Sequence, residues 1–168
     1  MRSLLSLSIL ALSACATTAS APSAVGILEP TDGNSVTGIV TFKQVGNSVL
    51  VTGTISGLKP NQEHGFHIHE KGDCSDGDAM GTGGHFNPVI SVHGAHGLGS
   101  HHAGDLPSLK ADATGKARVN FTSKTISVAS SVTQIIGRGL VVHRDPDDFK
   151  TQPSGNSGPR LACAVIRR

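Results

Sequence analysis

The chain has 168 residues, of which 37% are hydrophobic and 15% charged, a composition that fits one globular domain and argues against a disordered chain. Its 14 basic and 12 acidic side chains give a formal net charge of +2, so no charge imbalance indicates a nucleic-acid partner. Aromatic residues are scarce, whereas glycine and histidine are abundant, with 21 and nine copies. Short aliphatic runs between turn residues predict many strands and little helix.

The first residues have the features of an export signal. A positively charged start is followed by an apolar run at 4–12, which is too short to span a bilayer because a span needs about 20 apolar residues. Residues 12–15 read LSAC and resemble the bacterial lipoprotein cleavage box, in which the cysteine becomes the lipidated first residue. We predict a signal peptide at 1–14 and lipidation of Cys15. Cleavage after Ala21 and an N-terminal core strand are the competing interpretations.

The mature chain is predicted to have two parts. Residues 15–23 are small and polar and predict a flexible tether of at most about 30 Å. Residues 24–168 form the globular domain, with no internal repeat and no second domain. We therefore expect a periplasmic or cell-envelope protein that contacts the membrane only through its lipid anchor.

Eight short runs with alternating hydrophobicity predict an all-β domain. Turn residues at 30–34 and 112–115 separate some of these runs, and no amphipathic helix of convincing length occurs. The pattern predicts an antiparallel sandwich or barrel. The predicted strands span residues 24–29, 38–44, 48–58, 64–70, 106–111, 117–123, 139–144 and 161–166.

Two connections, 70–105 and 144–160, are too long and too rich in Gly, Pro and Asp to be ordinary turns. The first contains five of the nine histidines, so metal ligation is the interaction that we expect to order it. With Cys15 assigned to lipid, Cys74 and Cys163 remain. In an exported protein they form a disulfide or persist as buried thiols, and the first alternative is favoured.

Several histidines have the spacing of metal ligands. His67 and His69 lie two residues apart in a predicted strand, so both rings project from one face, although a solvent-exposed pair has the same spacing. His143 ends another predicted strand and by itself indicates little. The long connection supplies three imidazoles and a carboxylate, the donors of a tetrahedral zinc site, with independent exposed histidines as the alternative. These donors are His85, His93, His102 and Asp105.

Together these segments resemble one family closely, the copper/zinc superoxide dismutases. The resemblance covers residues 24–166 in the family's order and with its ligand spacing, and it implies an eight-stranded antiparallel Greek-key sandwich or flattened barrel. The segments that carry it read GFHIH at 65–69, GHFNP at 84–88, HAGDL at 102–106, GRGLVVH at 137–143 and GNSGPRLAC at 155–163.

The resemblance implies a copper ion and a zinc ion that share one imidazole. Such a ring must lose both nitrogen protons, which two cations stabilise near neutral pH. The implied copper ligands are His67, His69, His85 and His143. The implied zinc ligands are His85, His93, His102 and Asp105.

The implied reaction is the dismutation of superoxide to dioxygen and hydrogen peroxide by redox cycling of copper. His85 is then the catalytic proton donor and Arg160 guides the anion to copper. Asp147 matches the family's carboxylate that connects a copper ligand to a zinc ligand. A solvated loop arginine and a solvated acidic turn are the competing interpretations of Arg160 and Asp147.

The chain departs from the eukaryotic members of the family. Cys74 follows His69 by only five residues, a placement that resembles the bacterial branch. Lys71 stands in a region where eukaryotic members build an apolar dimer contact, so the sequence leaves both a monomer and a homodimer open.

Four further residues have no ligand role in this assignment. His64 shares a strand face with core residues and is expected to be hydrogen-bonded at the core edge, and neither His96 nor His101 has the family's ligand spacing. Met80 lacks the accompanying Cys ligand that a blue-copper site requires.

An envelope lipoprotein that buffers copper or zinc on the same fold is the alternative function. Buffering would need the histidines but neither Arg160 nor a shared ligand. An adhesive or structural sandwich would need no ligand set at all. We therefore expect a dismutase that removes superoxide at the cell envelope.

Overall fold

The computed structural model describes residues 20–129 and 131–168. The predicted signal peptide at 1–14, the predicted lipidation site Cys15 and most of the tether lie outside these residues. Within the described part of the chain, no helix has the length and apolar character needed to cross a bilayer.

The regular structure of the described residues consists of strands and one short 3₁₀ turn, Met80–Thr82. This agrees with the prediction of an all-β domain. In chain order the strands are β1 (Ser23–Pro30), β2 (Thr37–Val45), β3 (Ser48–Ser56), β4 (Glu63–His64), β5 (Phe66–His69), β6 (Leu109–Lys110), β7 (Ala117–Ser123), β8 (Gly139–His143) and β9 (Arg160–Val165).

Seven strands form one curled antiparallel sheet in the order β5-β8-β9-β1-β2-β3-β7. The sheet turns at β1, because residues 23–28 pair with β2 whereas Glu29 and Pro30 pair with β9. The remaining strands, β4 and β6, pair with each other. The curled sheet thus closes around a single main core.

The core is mainly aliphatic and includes three buried phenylalanines, Phe42, Phe66 and Phe86. Val40 and Phe42 of β2 are fully buried, and the residues between and beside them face outward. Val51 and Ile55 of β3 are likewise fully buried. Each such side chain contributes about 1.5–3 kcal/mol when it is removed from water, so period-two alternation fixes which face of each strand points inward.

The prediction of a single strand over 64–70 is wrong at Gly65. There the chain changes partner, because β4 pairs with β6 whereas β5 pairs with β8. A Cβ atom on Gly65 would lie 2.5 Å from the Oγ atom of Ser157, so the 144–160 connection can approach the chain here only at a glycine. The predicted strand 106–111 is also shorter, since only Leu109–Lys110 is paired.

The predicted disulfide is confirmed. Cys74 and Cys163 are bonded, and they join the long connection after β5 to the middle of β9. The bridge spans a sequence separation of 89 residues. It therefore anchors the histidine-rich connection to the sheet at a point close to Arg160.

Candidate metal centre

Two neighbouring strands supply three of the candidate ligands. His67 and His69 lie on β5, and His143 ends β8, which pairs with β5 in antiparallel register. All residues of β5 are buried. Because side chains alternate along the strand, Phe66 and Ile68 enter the core while the two histidines face the opposite way.

The long connection returns to the other edge of β5. The amide of Ile68 donates to the carbonyl of Gly104 over 2.9 Å, and the amide of Phe86 donates to the carbonyl of Ile68 over 2.8 Å. These bonds place His85 and Asp105 beside the strand histidines, in isolated β-bridges. The backbone therefore brings the connection's ligands to the strand ligands.

The structure assembles both of the predicted ligand sets. One, here called the strand set, consists of His67, His69, His85 and His143. The other, here called the loop set, consists of His85, His93, His102 and Asp105. Within each set the donor atoms lie within 4.8 Å of one another, every residue is buried, and His85 belongs to both sets.

The hydrogen bonds of His69 and His143 point to a cation in the strand set. His69 Nδ1 donates to the carbonyl of Gly83 over 2.9 Å, and His143 Nδ1 donates to the carbonyl of Gly158 over 3.0 Å. A carbonyl only accepts, so Nε2 of each neutral ring carries a lone pair. The two Nε2 atoms are nevertheless 3.3 Å apart, where two lone pairs repel unless a cation binds both.

The other two rings of the strand set also offer free nitrogens. His67 Nε2 lies 2.7 Å from Asp147 Oδ2 and donates to it, which leaves His67 Nδ1 buried without a hydrogen-bond partner. His85 Nε2 is buried and unpartnered as well. Buried polar atoms are normally satisfied, so these orphaned nitrogens fit a metal ion that binds the strand set.

The loop set surrounds one carboxylate oxygen. Oδ1 of Asp105 lies 2.8 Å from His85 Nδ1, 3.1 Å from His93 Nδ1 and 3.3 Å from His102 Nδ1. The Nδ1 atoms of His93 and His102 have no hydrogen bond of acceptable geometry. Three imidazole nitrogens and one carboxylate oxygen so arranged fit a tetrahedral zinc ion.

Burial keeps three rings of the strand set, those of His67, His69 and His143, neutral. Loss of hydration lowers the pKa of His67 to about 4 and that of His143 to about 3, and it holds the pKa of His69 well below its usual value. Neutral imidazoles are the form that binds metal, so these three rings are ready for a cation at neutral pH.

In the loop set, burial also lowers the pKa of His102, but His93 differs from the other rings. Burial lowers the pKa of His93, but its contacts with Asp105 and Asp147 outweigh burial and raise the pKa to about 9. Burial likewise opposes ionisation of both carboxyl groups, yet the histidines around them hold the pKa values of Asp105 and Asp147 well below the usual range. A metal that binds this set must therefore displace a proton.

Asp147 connects the two sets. Its Oδ2 accepts from His67 Nε2 over 2.7 Å, and its Oδ1 accepts from His93 Nε2 over 2.9 Å. Gly155 makes room for this link, since a Cβ atom there would overlap Asp147 Oδ1 and lie 2.5 Å from His93 Nε2. Gly155 also has φ of 64°, which favours glycine.

Arg160 lies beside an open cavity of about 460 Å³ above the strand set. Its guanidinium donates to the carbonyl of Ala79, to Thr82 Oγ1 over 2.7 Å and to the carbonyl of Gly83 over 2.8 Å. These bonds use three of the five guanidinium N–H groups and leave two for a small anion. The cavity is also lined by His69, His85, His143 and Met80.

The remaining histidines lie outside both sets. His64 is buried and donates from Nδ1 to the carbonyl of His143 over 2.9 Å, as expected of a residue at the core edge. His96 bonds to the carbonyl of Asp105, and His101 bonds to the carbonyl of His102.

Several functional contacts could not be predicted from sequence. The carbonyls of Gly83 and Gly158 fix the ring orientations of two strand-set histidines, and the carbonyl of Ala79 helps to hold Arg160. Every residue type carries a carbonyl, so no residue pattern could have identified them.

Comparisons with known proteins agree with this geometry. Residues 36–166 match the family described as copper/zinc superoxide dismutase (SODC). The superoxide dismutase [Cu-Zn] of Paramecium bursaria Chlorella virus 1 is 41% identical over 150 residues, which cover 86% of this chain and 77% of the viral protein.

Solved structures share the fold. The crystal structure of the clock protein EA4 has a TM-score of 0.80 and 38% identity, and the alignment covers 90% of this chain and 97% of the other. A double mutant of a SOD-like protein from Bacillus subtilis has a TM-score of 0.77 and 36% identity, with coverage of 86% and 97%. These similarities confirm the predicted fold class.

Proposed function

The chain belongs to the copper/zinc superoxide dismutase family. From this premise we propose which role each residue of the site has and where in the cell the protein acts. It converts two superoxide ions and two protons to dioxygen and hydrogen peroxide, and its cofactors are copper and zinc. The observation that carries the assignment of roles is the membership of His85 in both ligand sets.

We assign copper to the strand set and zinc to the loop set. When bound, copper supplies the one-electron chemistry of the reaction, and zinc adds a fixed positive charge without redox activity. An all-imidazole set suits copper, whereas the set that includes the carboxylate of Asp105 suits zinc.

His85 is the proposed site of proton delivery. Its Nδ1 faces Asp105 at 2.8 Å, and its Nε2 is buried and free on the side of the strand set. A proton held at Nε2 can be passed to the departing peroxide, and the contact at Nδ1 keeps the ring oriented during that transfer.

Arg160 is the proposed guide for the substrate. Three protein acceptors fix its guanidinium beside the cavity, so its charge and its two free N–H groups are held ready before an anion arrives. A fixed positive charge at the opening of a cleft raises the rate at which an anion enters it.

Replacement of Arg160 by alanine tests this assignment. Arg160→Ala should lower kcat/KM for superoxide by about 10- to 100-fold while copper and zinc contents stay unchanged. Arg118→Ala is the matched control, because Arg118 is an exposed arginine on β7 and its loss changes net charge equally. Unchanged kcat/KM in Arg160→Ala would remove Arg160 from the mechanism, and a metal-replete wild-type protein without activity would favour metal buffering.

We propose that the enzyme acts at the cell envelope, anchored by lipid at Cys15. The apolar run at 4–12 and the LSAC box at 12–15 support export and lipidation. The disulfide between Cys74 and Cys163 supports an oxidising compartment, since such bonds rarely persist in the cytosol. There the enzyme would protect envelope components from superoxide.

Cell fractionation tests the anchor. Cys15→Ala should move the protein from the membrane fraction to the soluble fraction, whereas the nearby control Thr17→Ala should remain in the membrane fraction. Membrane retention of Cys15→Ala would contradict the lipid anchor and leave the metal-site assignment untouched.

A further inference from the structure

The cavity above the strand set has to admit ions of opposite charge. During turnover an anion passes Arg160, and a copper cation that reaches the strand set through this cavity passes the same guanidinium. A fixed positive charge favours the first passage and opposes the second. A ligand that binds copper independently of charge would resolve this conflict.

Met80 is placed to be such a ligand. It lines the cavity together with His69, His143 and Arg160, and the residue is 60% exposed although it is apolar. On its other side it borders a surface groove that contains the carboxylate of Asp78. Met80 therefore stands between the protein surface and the ligands within.

The backbone of Met80 is held in place. Its amide donates to Asp78 Oδ1 over 3.0 Å, and its carbonyl accepts from the amide of Gly83 over 3.1 Å. Ala79, which precedes it, and Thr82, which follows two residues later, accept hydrogen bonds from Arg160. The turn that fixes the anion guide thus also presents the thioether at the cavity.

The charges at the opening make a neutral soft ligand useful. Partial burial lowers the pKa of Arg160, and the carboxylates of Asp76 and Asp78 oppose that shift, which places negative charge near the guanidinium. These carboxylates would repel superoxide but raise the local concentration of cations. A thioether takes no part in anion capture, whereas it is a good ligand for Cu(I).

We propose that Met80 is the first protein ligand of incoming Cu(I), which then passes to the strand set. The step is a ligand exchange in which Cu(I) leaves the thioether sulfur for imidazole nitrogens, and no electron is transferred. His85 lines the same cavity, and its buried, unpartnered Nε2 marks the destination. This inference rests on the proposed assignment of copper to the strand set.

A silver titration tests the proposal directly. Ag(I) binds the same soft ligands as Cu(I) but is not oxidised or reduced during the titration. Met80 is the only methionine besides Met1, so its methyl resonance is readily assigned. The full chain, loaded with zinc and labelled at the methionine methyl groups, is titrated with Ag(I) and followed by NMR. The Met80 methyl resonance should shift at the first additions, before the strand-set histidine resonances have reached their final positions.

Uptake kinetics give the second measurement. Met80→Leu keeps the volume of the side chain but removes sulfur, and it should slow Cu(I) uptake by about tenfold without changing the final copper content. The control adds Leu98→Met to the same variant, which restores a thioether at an exposed position outside the cavity. Uptake by that double variant should remain slow.

The outcomes separate this proposal from the one on which it rests. If Ag(I) fills the strand set while the Met80 methyl resonance stays fixed, or if Met80→Leu takes up Cu(I) at the wild-type rate, Met80 is not an uptake ligand and the copper assignment stands. If neither Ag(I) nor Cu(I) perturbs the strand-set histidines, the copper assignment itself fails and the proposal fails with it.

Discussion

The two ligand sets are built by different means. In the strand set, His67, His69 and His143 lie on β5 and β8, whose backbones are paired along the whole of β5. In the loop set, no ligand lies on a strand, and the connection that carries it is held by the disulfide, by bonds to the edge of β5 and by its own carboxylates. A sheet can fix ligands without metal, whereas a long connection depends on side-chain links.

The two sets also differ in what determines the protonation of their histidines. Burial is the main cause that keeps His67 neutral, while carboxylates hold His93 in its protonated form. His85 and Asp147 are the links between the two regions, since His85 belongs to both sets and Asp147 bonds to His67 and His93. Changes at the links should therefore affect both regions, and changes elsewhere should affect only one.

The largest effect is expected from His85→Ala, which removes the shared ligand. Loss of the ring deprives both sets of a nitrogen and removes the proposed proton donor, so dismutation should fall by about 10²–10⁴-fold. Zinc and copper contents, measured on the purified protein, should both decline. A variant that lost only one metal would show that the sets are independent of each other.

Removal of the disulfide should loosen the loop region more than the strands. Closing the 89-residue separation stabilises the fold by about 4–5 kcal/mol in the chain-entropy treatment, so Cys74→Ser combined with Cys163→Ser should lower the free energy of unfolding by that order. Denaturant titration measures the loss. Hydrogen exchange should rise in residues 70–84 and stay slow in β5 and β8, and equal acceleration in both would contradict the distinction.

Without metals, the two regions should lose their contributions to the free energy of unfolding at opposite ends of the pH range. The pKa of His67 is about 4 in the fold and 6.5 when unperturbed, so the unfolded chain binds more protons between these values and stability falls by about 3 kcal/mol as pH drops from 6.5 to 4. The pKa of His93 is raised to about 9, so its contribution is complete below pH 6.5 and is lost as pH rises through 9.

Denaturation midpoints of the demetallated protein, measured from pH 4 to pH 10, check both the loss of stability at low pH and the loss at high pH. Zinc should abolish the alkaline loss, because it replaces the proton on His93. A stability that is flat from pH 6.5 to pH 4 would show that His67 is not held neutral by burial.

The smallest effect is expected from Asp147→Asn, which keeps the shape of the link but removes its charge. Loss of a carboxylate behind a metal-binding imidazole weakens metal affinity by about 10- to 100-fold, and zinc should be affected more than copper because His93 relies on carboxylates. Competition with a chelator measures both affinities. Asp148→Asn is the control, since that exposed carboxylate bonds only within its own turn.

The strand region was the more predictable of the two. Alternation placed His67 and His69 on one face, and turn residues marked most strand ends, because both patterns are local and repeat along the chain. The change of partner at Gly65 was not predictable, since it depends on the approach of Ser157 from a distant connection.

In the loop region the ligands were identified because the segments that carry them resemble those of a family. In the structure these ligands lie close together. Residue spacing alone gave the donor types of a zinc site but not its contacts. The acceptors around Arg160 were missed, because two of them are backbone carbonyls that leave no trace in residue type. Sequence patterns therefore report the side chains of a site better than the backbone that orients them.

Anomalous diffraction from crystals of the oxidised holoprotein, recorded at the copper and zinc absorption edges, tests the central claim that one imidazole serves two ions. We expect copper among the strand-set histidines, on the Nε2 side of His85, and zinc beside Asp105, on the Nδ1 side of the same ring. A ring that contacts a single ion while the other set stays empty, or the two metals in exchanged positions, would contradict it.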